Sequence, residues 1–374
     1  MSVKKLGFGL MRLPLLDKND DTGIDIEQAK KMVDMFIARG FTYFDTAWMY
    51  HGFKSEEAVK EILTTRYPRH SYTLATKLHV HYVKSMEERD GIFNEQLRKT
   101  GVEYFDYYLL HNVNEKYYED LNKFDCFTWL REKKAAGLAK HIGCSSHSSP
   151  EFLEKLLTEH PELEFVQLQL NYLDWESERV RARECYETVV KHGKKVIVME
   201  PVRGGALANI PAEAEAMFKA AQPEKSVASW AIRFAAGLDS VMMVLSGMSS
   251  LQQMEDNTGF MENFEPLSGE ETELCHRARE IINKSKQISC TACSYCTDGC
   301  PMNIAIPSYF GIYNENVKED GARKQQRRDE YRSLTEKFGK AGDCIGCAQC
   351  EGICPQGLPI IELLKKVAKD FEEE

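Results

Sequence analysis

Eight of the twelve cysteines in this 374-residue chain fall into two copies of one rhythm, Cys290-x-x-Cys293-x-x-Cys296-x-x-x-Cys300-Pro301 and Cys344-x-x-Cys347-x-x-Cys350-x-x-x-Cys354-Pro355. Three thiolates at every third position can wrap one face of an iron–sulfur cubane, and a fourth followed by Pro commonly crosses to the other cluster of a pair. The spacing therefore predicts two [4Fe-4S] clusters. One would rest on Cys290, Cys293, Cys296 and Cys354, the other on Cys344, Cys347, Cys350 and Cys300. Two plainer readings stand beside this one: zinc, which needs only four thiolates and normally takes them as separated pairs, and a disulfide lattice, which needs an oxidising compartment. Clusters are assembled from reduced thiols, so a reducing cytoplasm is the expected setting. Cys126, Cys144, Cys185 and Cys275 read as buried small residues.

A second set of candidates is spread through the first third of the chain: Asp45, Tyr50, Lys77 and His111. A phenol is too weak an acid near neutral pH unless a nearby ammonium lowers its pKa, and a carboxylate can hold that ammonium in place. An imidazole can then orient or protonate the accepting oxygen. Together the four describe proton delivery to a carbonyl. Singly, each has a blander role, as helix cap, packing ring, surface lysine or core histidine. Their positions argue for more than that.

Stepping outward, the chain to about residue 260 alternates short β-rich runs with amphipathic helical stretches, the signature of parallel β/α architecture. Strands are expected at 5–10, 42–47, 72–78, 105–111, 140–145, 165–171, 196–200 and 240–246, with helices at 26–39, 55–65, 86–100, 126–136 and 226–236. Eight repeats predict a closed (β/α)8 barrel, in which catalytic groups come from the C-terminal ends of strands. Asp45, Lys77 and His111 stand at the ends of the second, third and fourth strands, and Tyr50 lies five residues beyond Asp45. An open doubly wound sheet is the alternative, but the first β/α turn lacks a G-x-G-x-x-G phosphate fingerprint.

The motifs Gly7-Phe8-Gly9, Phe44-Asp45-Thr46-Ala47-x-x-Tyr50, Ala75-Thr76-Lys77, Leu109-Leu110-His111, Ile142-Gly143-Cys144-Ser145, Val166-Gln167, Glu200-Pro201 and Ser246-Gly247 resemble, in order, those of the aldo-keto reductases. The resemblance runs from residue 3 to about 260. It implies Tyr50 as general acid, Lys77 and Asp45 as its pKa-lowering pair and His111 as the group orienting a small-molecule carbonyl substrate. It also implies direct hydride supply by NADPH or NADH. Cofactor contacts implied the same way are Gly9, Ser145, Gln167, Val202, Gly205, Leu207, Gly247, Ser249, Gln253 and Asn257. Ser146 stands where the family usually has Asn. The Lys and Arg that grip a 2′-phosphate in NADPH-preferring members have no counterpart near Ser249 and Gln253.

The expected division is a barrel domain over 1–265 and a smaller, mainly helical iron–sulfur domain over 266–374. The latter opens with a bridging helix at 270–284 and carries charge-rich helix at 317–337, and it resembles the alpha-helical ferredoxins. Arg323, Lys324, Arg327 and Arg328 read as a solvated helix face. A net charge of −10 argues against nucleic acid and leaves room for a redox partner protein. No apolar run is long enough to span a membrane, and the opening MSVKKLGFGLMRLPLL reads as a first strand and not as a leader. Three functions remain open: a carbonyl reductase whose clusters are structural, regulatory or serve a partner; a ferredoxin-linked enzyme whose clusters feed the barrel site; and an electron carrier with a degenerate barrel. The complete Asp-Tyr-Lys-His set argues against the last.

Overall fold

The computed structural model describes residues 4–17, 20–284, 288–297, 299–317 and 322–373. Eight strands, β1 (Leu6–Gly9), β2 (Tyr43–Asp45), β3 (Thr73–Leu78), β4 (Phe105–Leu110), β5 (Ala139–Ser146), β6 (Phe165–Gln169), β7 (Lys195–Met199) and β8 (Val241–Ser246), pair in parallel with their sequence neighbours. Pairing of β1 with β8 closes the barrel. Seven buried side chains, Tyr43, Ala75, Leu109, Phe165, Ile197, Met243 and Leu245, form one interior cluster. The same strands show their alternate residues to the helices, since strand side chains alternate faces. On that outer side Phe8 and Phe44 meet Phe36 of the helix Ile26–Ala38, with ring centroids 5.8 and 5.3 Å apart. Phe93 of the helix Met86–Thr100 meets Tyr108 at 4.9 Å. Burying one such ring stabilises the layer by about 1.5–3 kcal/mol. Gly7 is needed inside: a Cβ there would lie 2.7 Å from Leu245 Cδ2 and 3.0 Å from the ring of Tyr43.

The β/α helices begin where short polar residues satisfy their free N–H groups. Ser85, Asn114, Ser149, Ser226 and Ser250 each accept a hydrogen bond from the backbone two or three residues into the helix they open. Several strands end earlier than their sequence pattern. The β2 ladder stops at Asp45 and β4 at Leu110, because beyond those points the chain turns to carry its side chains over the barrel mouth. Residues 55–65 form an α-helix, Ser55–Val59, continued by a π-turn, Lys60–Thr64.

The chain divides into two compact units, Met1–Val202 with Gln222–Cys275, and Arg203–Ala221 with His276–Glu374. The boundary falls within the helix Gly269–Lys284 and not at 265/266, and the loop and helix that follow β7 belong to the second unit. That unit is helical, with Ile306–Asn316, Ala322–Thr335, Gln349–Ile353 and Ile360–Phe371. Tyr309, Phe310, Tyr331, Ile360, Leu364, Val367 and Phe371 are among its core residues. Of the stretch expected as helix at 317–337, Ala322–Thr335 is helical; the preceding helix ends at Asn316, and 318–321 lie outside the described residues. Each Cys-Pro step leads within a few residues into a helix, at Ile306 and at Ile360.

Candidate functional site

Register brings the barrel-end residues together. Asp45 ends β2 opposite Ala75, two residues before Lys77 in β3, and Lys77 lies opposite Leu109, two before His111. The His111 backbone N–H donates to Leu78 O at 2.8 Å, extending the ladder one step past β4. Tyr50 starts the short turn Tyr50–Phe53 after β2. The Lys77 ammonium, fully buried, donates to Asp45 Oδ1, to Thr46 O at 2.7 Å and to the Tyr50 hydroxyl at 3.4 Å. The rings of Tyr50 and His111 meet edge to face, 5.8 Å between centroids.

Burial dominates the electrostatics. It raises Asp45 and lowers Lys77, and the charge of each opposes the shift in the other. Burial also pushes the Tyr50 phenol well above its usual range, aided by the charges of Asp45 and Glu200. The sequence led us to expect a lowered phenol. In the protein as it stands Tyr50 keeps its proton, and the ammonium beside it acts on the phenolate once that proton leaves. His111 is held well below its ordinary range by burial, then by His79, Lys77 and His147, so it is a neutral imidazole. Its Nδ1 and Asp45 Oδ2 are buried without a hydrogen-bond partner among the described residues.

The remaining candidates fall into three groups. Ser145 and Gln167 are register partners on β5 and β6, both buried. Ser145 Oγ accepts from Asn112 N at 2.8 Å, while Gln167 Oε1 has no partner among the described residues. A buried carbonyl oxygen left so, beside a hydroxyl, suits the carboxamide of a nicotinamide ring. Gly9, Gly247, Ser249, Gln253 and Asn257 surround the end of β8. Gly9 lies against Ser246 and Gly247, Ser249 N donates to Gln253 Oε1 at 2.7 Å, and Asn257 Nδ2 donates to Ser246 Oγ at 2.8 Å. Asn257 thus anchors the helix Leu251–Glu262, capped by Ser250, to the strand. Val202 lies in the first unit, whereas Gly205 and Leu207 lie in the second.

Sequence reasoning missed Arg12, whose side chain packs on Gly247 and whose carbonyl accepts the Ser249 hydroxyl at 2.8 Å. It is a cation at the place where none was found nearby in sequence. Glu200, read in sequence only as part of a Glu-Pro motif, follows β7 with φ 54°, and its charge acts on Tyr50.

In the second unit, Cys290, Cys293, Cys296 and Cys354 line one cavity with Phe310, Leu358 and Ile360. Cys300, Cys344, Cys347 and Cys350 line another with Ile304, Ile306 and Leu364. The fourth cysteine of each repeat therefore lies with the first three of the other. Among the described residues no three Cys, His, Asp or Glu side chains converge as a site for a single metal ion. Four thiols around an apolar-walled space fit a thiolate-held cubane. Arg203, 6% exposed, donates to Ser289 O at 3.1 Å and to Gln356 Oε1 at 2.9 Å, fastening both shoulders of the first cavity. Gly204, at φ 65°, packs so close that a Cβ would lie 2.1 Å from Thr291 O. The other four cysteines are buried. No helix among the described residues is long and apolar enough to cross a membrane.

The family model for the aldo/keto reductases matches residues 5–280. The chain belongs to the aldo/keto reductase family. It is an oxidoreductase with the family's eight-stranded barrel, and a 4Fe-4S dicluster domain matches residues 289–358. Among solved structures it is similar to the aldo-keto reductase AKR11C1 from Bacillus halodurans in its holo form, at TM-score 0.60 and 23% identity, covering 74% of this chain and 92% of that one. A reductase from Klebsiella pneumoniae in complex with NADPH gives TM-score 0.58 and 18% identity, covering 74% and 90%. The uncharacterized oxidoreductase YqkF of Bacillus subtilis is 21% identical over 69% of this chain and 87% of its own length. The acetyl-CoA decarbonylase/synthase complex subunit alpha 1 of Methanosarcina acetivorans is 30% identical over 23% of this chain, which spans only 9% of that relative's length.

Proposed function

We propose that the barrel reduces an aldehyde or ketone with NAD(P)H, Tyr50 serving as general acid, and that the eight repeat cysteines hold two [4Fe-4S] clusters in the crossed arrangement. The observation that carries the reading is the buried Lys77 ammonium, seated on Asp45 and 3.4 Å from the Tyr50 hydroxyl. When bound, the reduced nicotinamide supplies a hydride to the carbonyl carbon. Tyr50 gives its proton to the carbonyl oxygen, and Lys77 stabilises the phenolate left behind while Asp45 keeps the ammonium in place. His111, neutral, orients the substrate oxygen by hydrogen bonding. Gln167 and Ser145 orient the carboxamide. Gly9, Val202, Gly247, Ser249 and Gln253 contact the rest of the dinucleotide, Asn257 acts through Ser246, and Arg12 offers its phosphates a cation. Cys290, Cys293, Cys296 and Cys354 hold one cluster, and Cys300, Cys344, Cys347 and Cys350 the other; each would exchange one electron at a time.

The test is Tyr50→Phe, assayed on an aldehyde panel with anaerobically purified protein. Carbonyl reduction should fall by about 10²–10⁴-fold, the contribution typical of a positioned acid. Iron content and dinucleotide affinity should be unchanged. Turnover retained at the wild-type rate would remove Tyr50 from this role.

A further inference from the structure

The two cysteine cavities differ in how they meet solvent. In the first, Ser294 is exposed while Thr291, Gln356 and Ile360 are buried, and none of the four cysteines is exposed. The second has buried walls at Ile304, Ile306 and Leu364 but includes the exposed Cys347. Ile345 is 63% exposed, Met302 is 36% exposed, and Ala348 and Gln349 are exposed beside Cys347. Electron tunnelling weakens steeply with distance, so the cavity holding the one exposed cysteine of the eight is the one a protein in solution approaches most closely.

An apolar rim surrounds that opening. Met302 and Ile345 line the cavity itself. Phe338, also exposed, precedes Gly339, whose backbone packs on the Met302 carbonyl and whose N–H donates to Asn303 O at 3.0 Å. Exposed large apolar side chains gathered in one place mark an interaction surface, and redox encounters use the smallest ones. Lys337 and Lys340 flank Phe338, with the exposed Asp343 next to Cys344, in a chain whose net charge is −10.

We propose that the open side of the second cysteine cavity, rimmed by Met302, Phe338 and Ile345 and flanked by Lys337 and Lys340, is the docking surface for a small acidic one-electron carrier protein. The proposal rests on the reading that the cysteines hold clusters. Basic flanks steer an acidic partner and repel a second copy of the same surface. The apolar rim excludes water at the contact, and the exposed thiolate edge gives the electron its way in. The step balances simply: the reduced carrier loses one electron, the oxidised cluster gains it, and no proton or bond moves.

The experiment uses the full chain with its clusters loaded anaerobically, and an acidic bacterial two-cluster ferredoxin as the probe. Binding is measured by biolayer interferometry, and electron transfer from the prereduced ferredoxin by stopped-flow absorbance. Phe338→Glu and Lys337→Glu should each weaken binding and slow transfer by about tenfold or more. Iron content, cluster EPR signals and NADPH-dependent carbonyl reduction should be unaltered, and salt should weaken the wild-type interaction. Arg98→Glu, on the barrel, should change nothing. Wild-type rates in both surface variants would overturn the docking surface while leaving the clusters standing. A wild-type dimer that the variants dissolve, with ferredoxin transfer unchanged, would assign the patch to a second copy and overturn the proposal. Absence of cluster EPR signals from the dithionite-reduced, iron-loaded wild type would overturn the cluster reading and this proposal together.

Discussion

Lys77→Met removes the ammonium and keeps nearly the same length of side chain in a fully buried place. Asp45, 2% exposed, then has its carboxylate facing a thioether, and Thr46 O loses its 2.7 Å donor. Breaking a buried pair from one side costs about 3–5 kcal/mol, because the remaining charge has neither water nor partner. At about 2–4 °C per kcal/mol for a domain of this size, the melting temperature should fall by about 6–20 °C. The double variant Asp45→Asn/Lys77→Met removes both charges. It should regain most of that loss, short of the about 1–3 kcal/mol attached to the unpaired Thr46 carbonyl. Activity should not return with stability, since the phenolate of Tyr50 still lacks its cation. Anaerobic thermal scans of cluster-loaded protein, run alongside carbonyl reduction and dinucleotide titration, separate the two effects. If Lys77→Met melted at the wild-type temperature, the buried ion pair would not exist as described. If the double variant recovered activity, Lys77 would be structural only.

Two further outcomes can be read on the same protein. Cys354→Ser should damage the cluster held with Cys290, Cys293 and Cys296, because Cys354 lines their cavity; EPR loss confined to the other cluster would refute the crossed arrangement. Glu56, buried and accepting from Thr76 Oγ1 at 2.6 Å and Gln96 Nε2 at 2.7 Å, is pushed up to about 7 by burial from an ordinary 4.5. The folded state therefore binds an extra proton between those values, so this stabilisation is present below about pH 4.5 and is lost, by about 3 kcal/mol, as pH rises through 7. His79 and His147, lowered to about 4 by burial, act with the opposite sign between about pH 4 and 6.5, which makes the comparison with Glu56→Gln necessary. The variant's melting temperature should gain on wild type from pH 5 to pH 8, and a constant gap would show that Glu56 titrates normally.

Much of this molecule is legible in its sequence, for reasons that are local. Cluster ligation asks for thiols three residues apart, a spacing written on one short segment. A parallel barrel asks for strand and helix in alternation, and puts its chemistry at strand ends, so Asp45, Lys77 and His111 could be found by asking what each strand ends with. The fold and family followed from that order. Short helices such as Ala182–Lys191 and Leu251–Glu262 escaped, since a few turns with mixed polarity resemble loops until the barrel wall gives them something to cover.

What the tertiary structure alone decided involves residues far apart in the chain. Arg12 meets Ser249 across 237 positions, and Arg203 meets Gln356 across 153. No spacing rule links such pairs. Val202, Gly205 and Leu207 after β7 are read from the sequence as cofactor contacts, yet Arg203 and Gly204 between them are held beside the first cysteine cavity, by hydrogen bonds to Ser289 and Gln356 and by a close approach to Thr291. The phenol of Tyr50 is a similar case. Pairing it with Lys77 and Asp45 suggests a lowered pKa, but desolvation depends on how much of the folded protein surrounds a group, and in this barrel mouth burial raises the phenol together with the charges of Asp45 and Glu200. Local chemistry could be read from the residue order; burial and long-range contact exist only once the chain has closed around them.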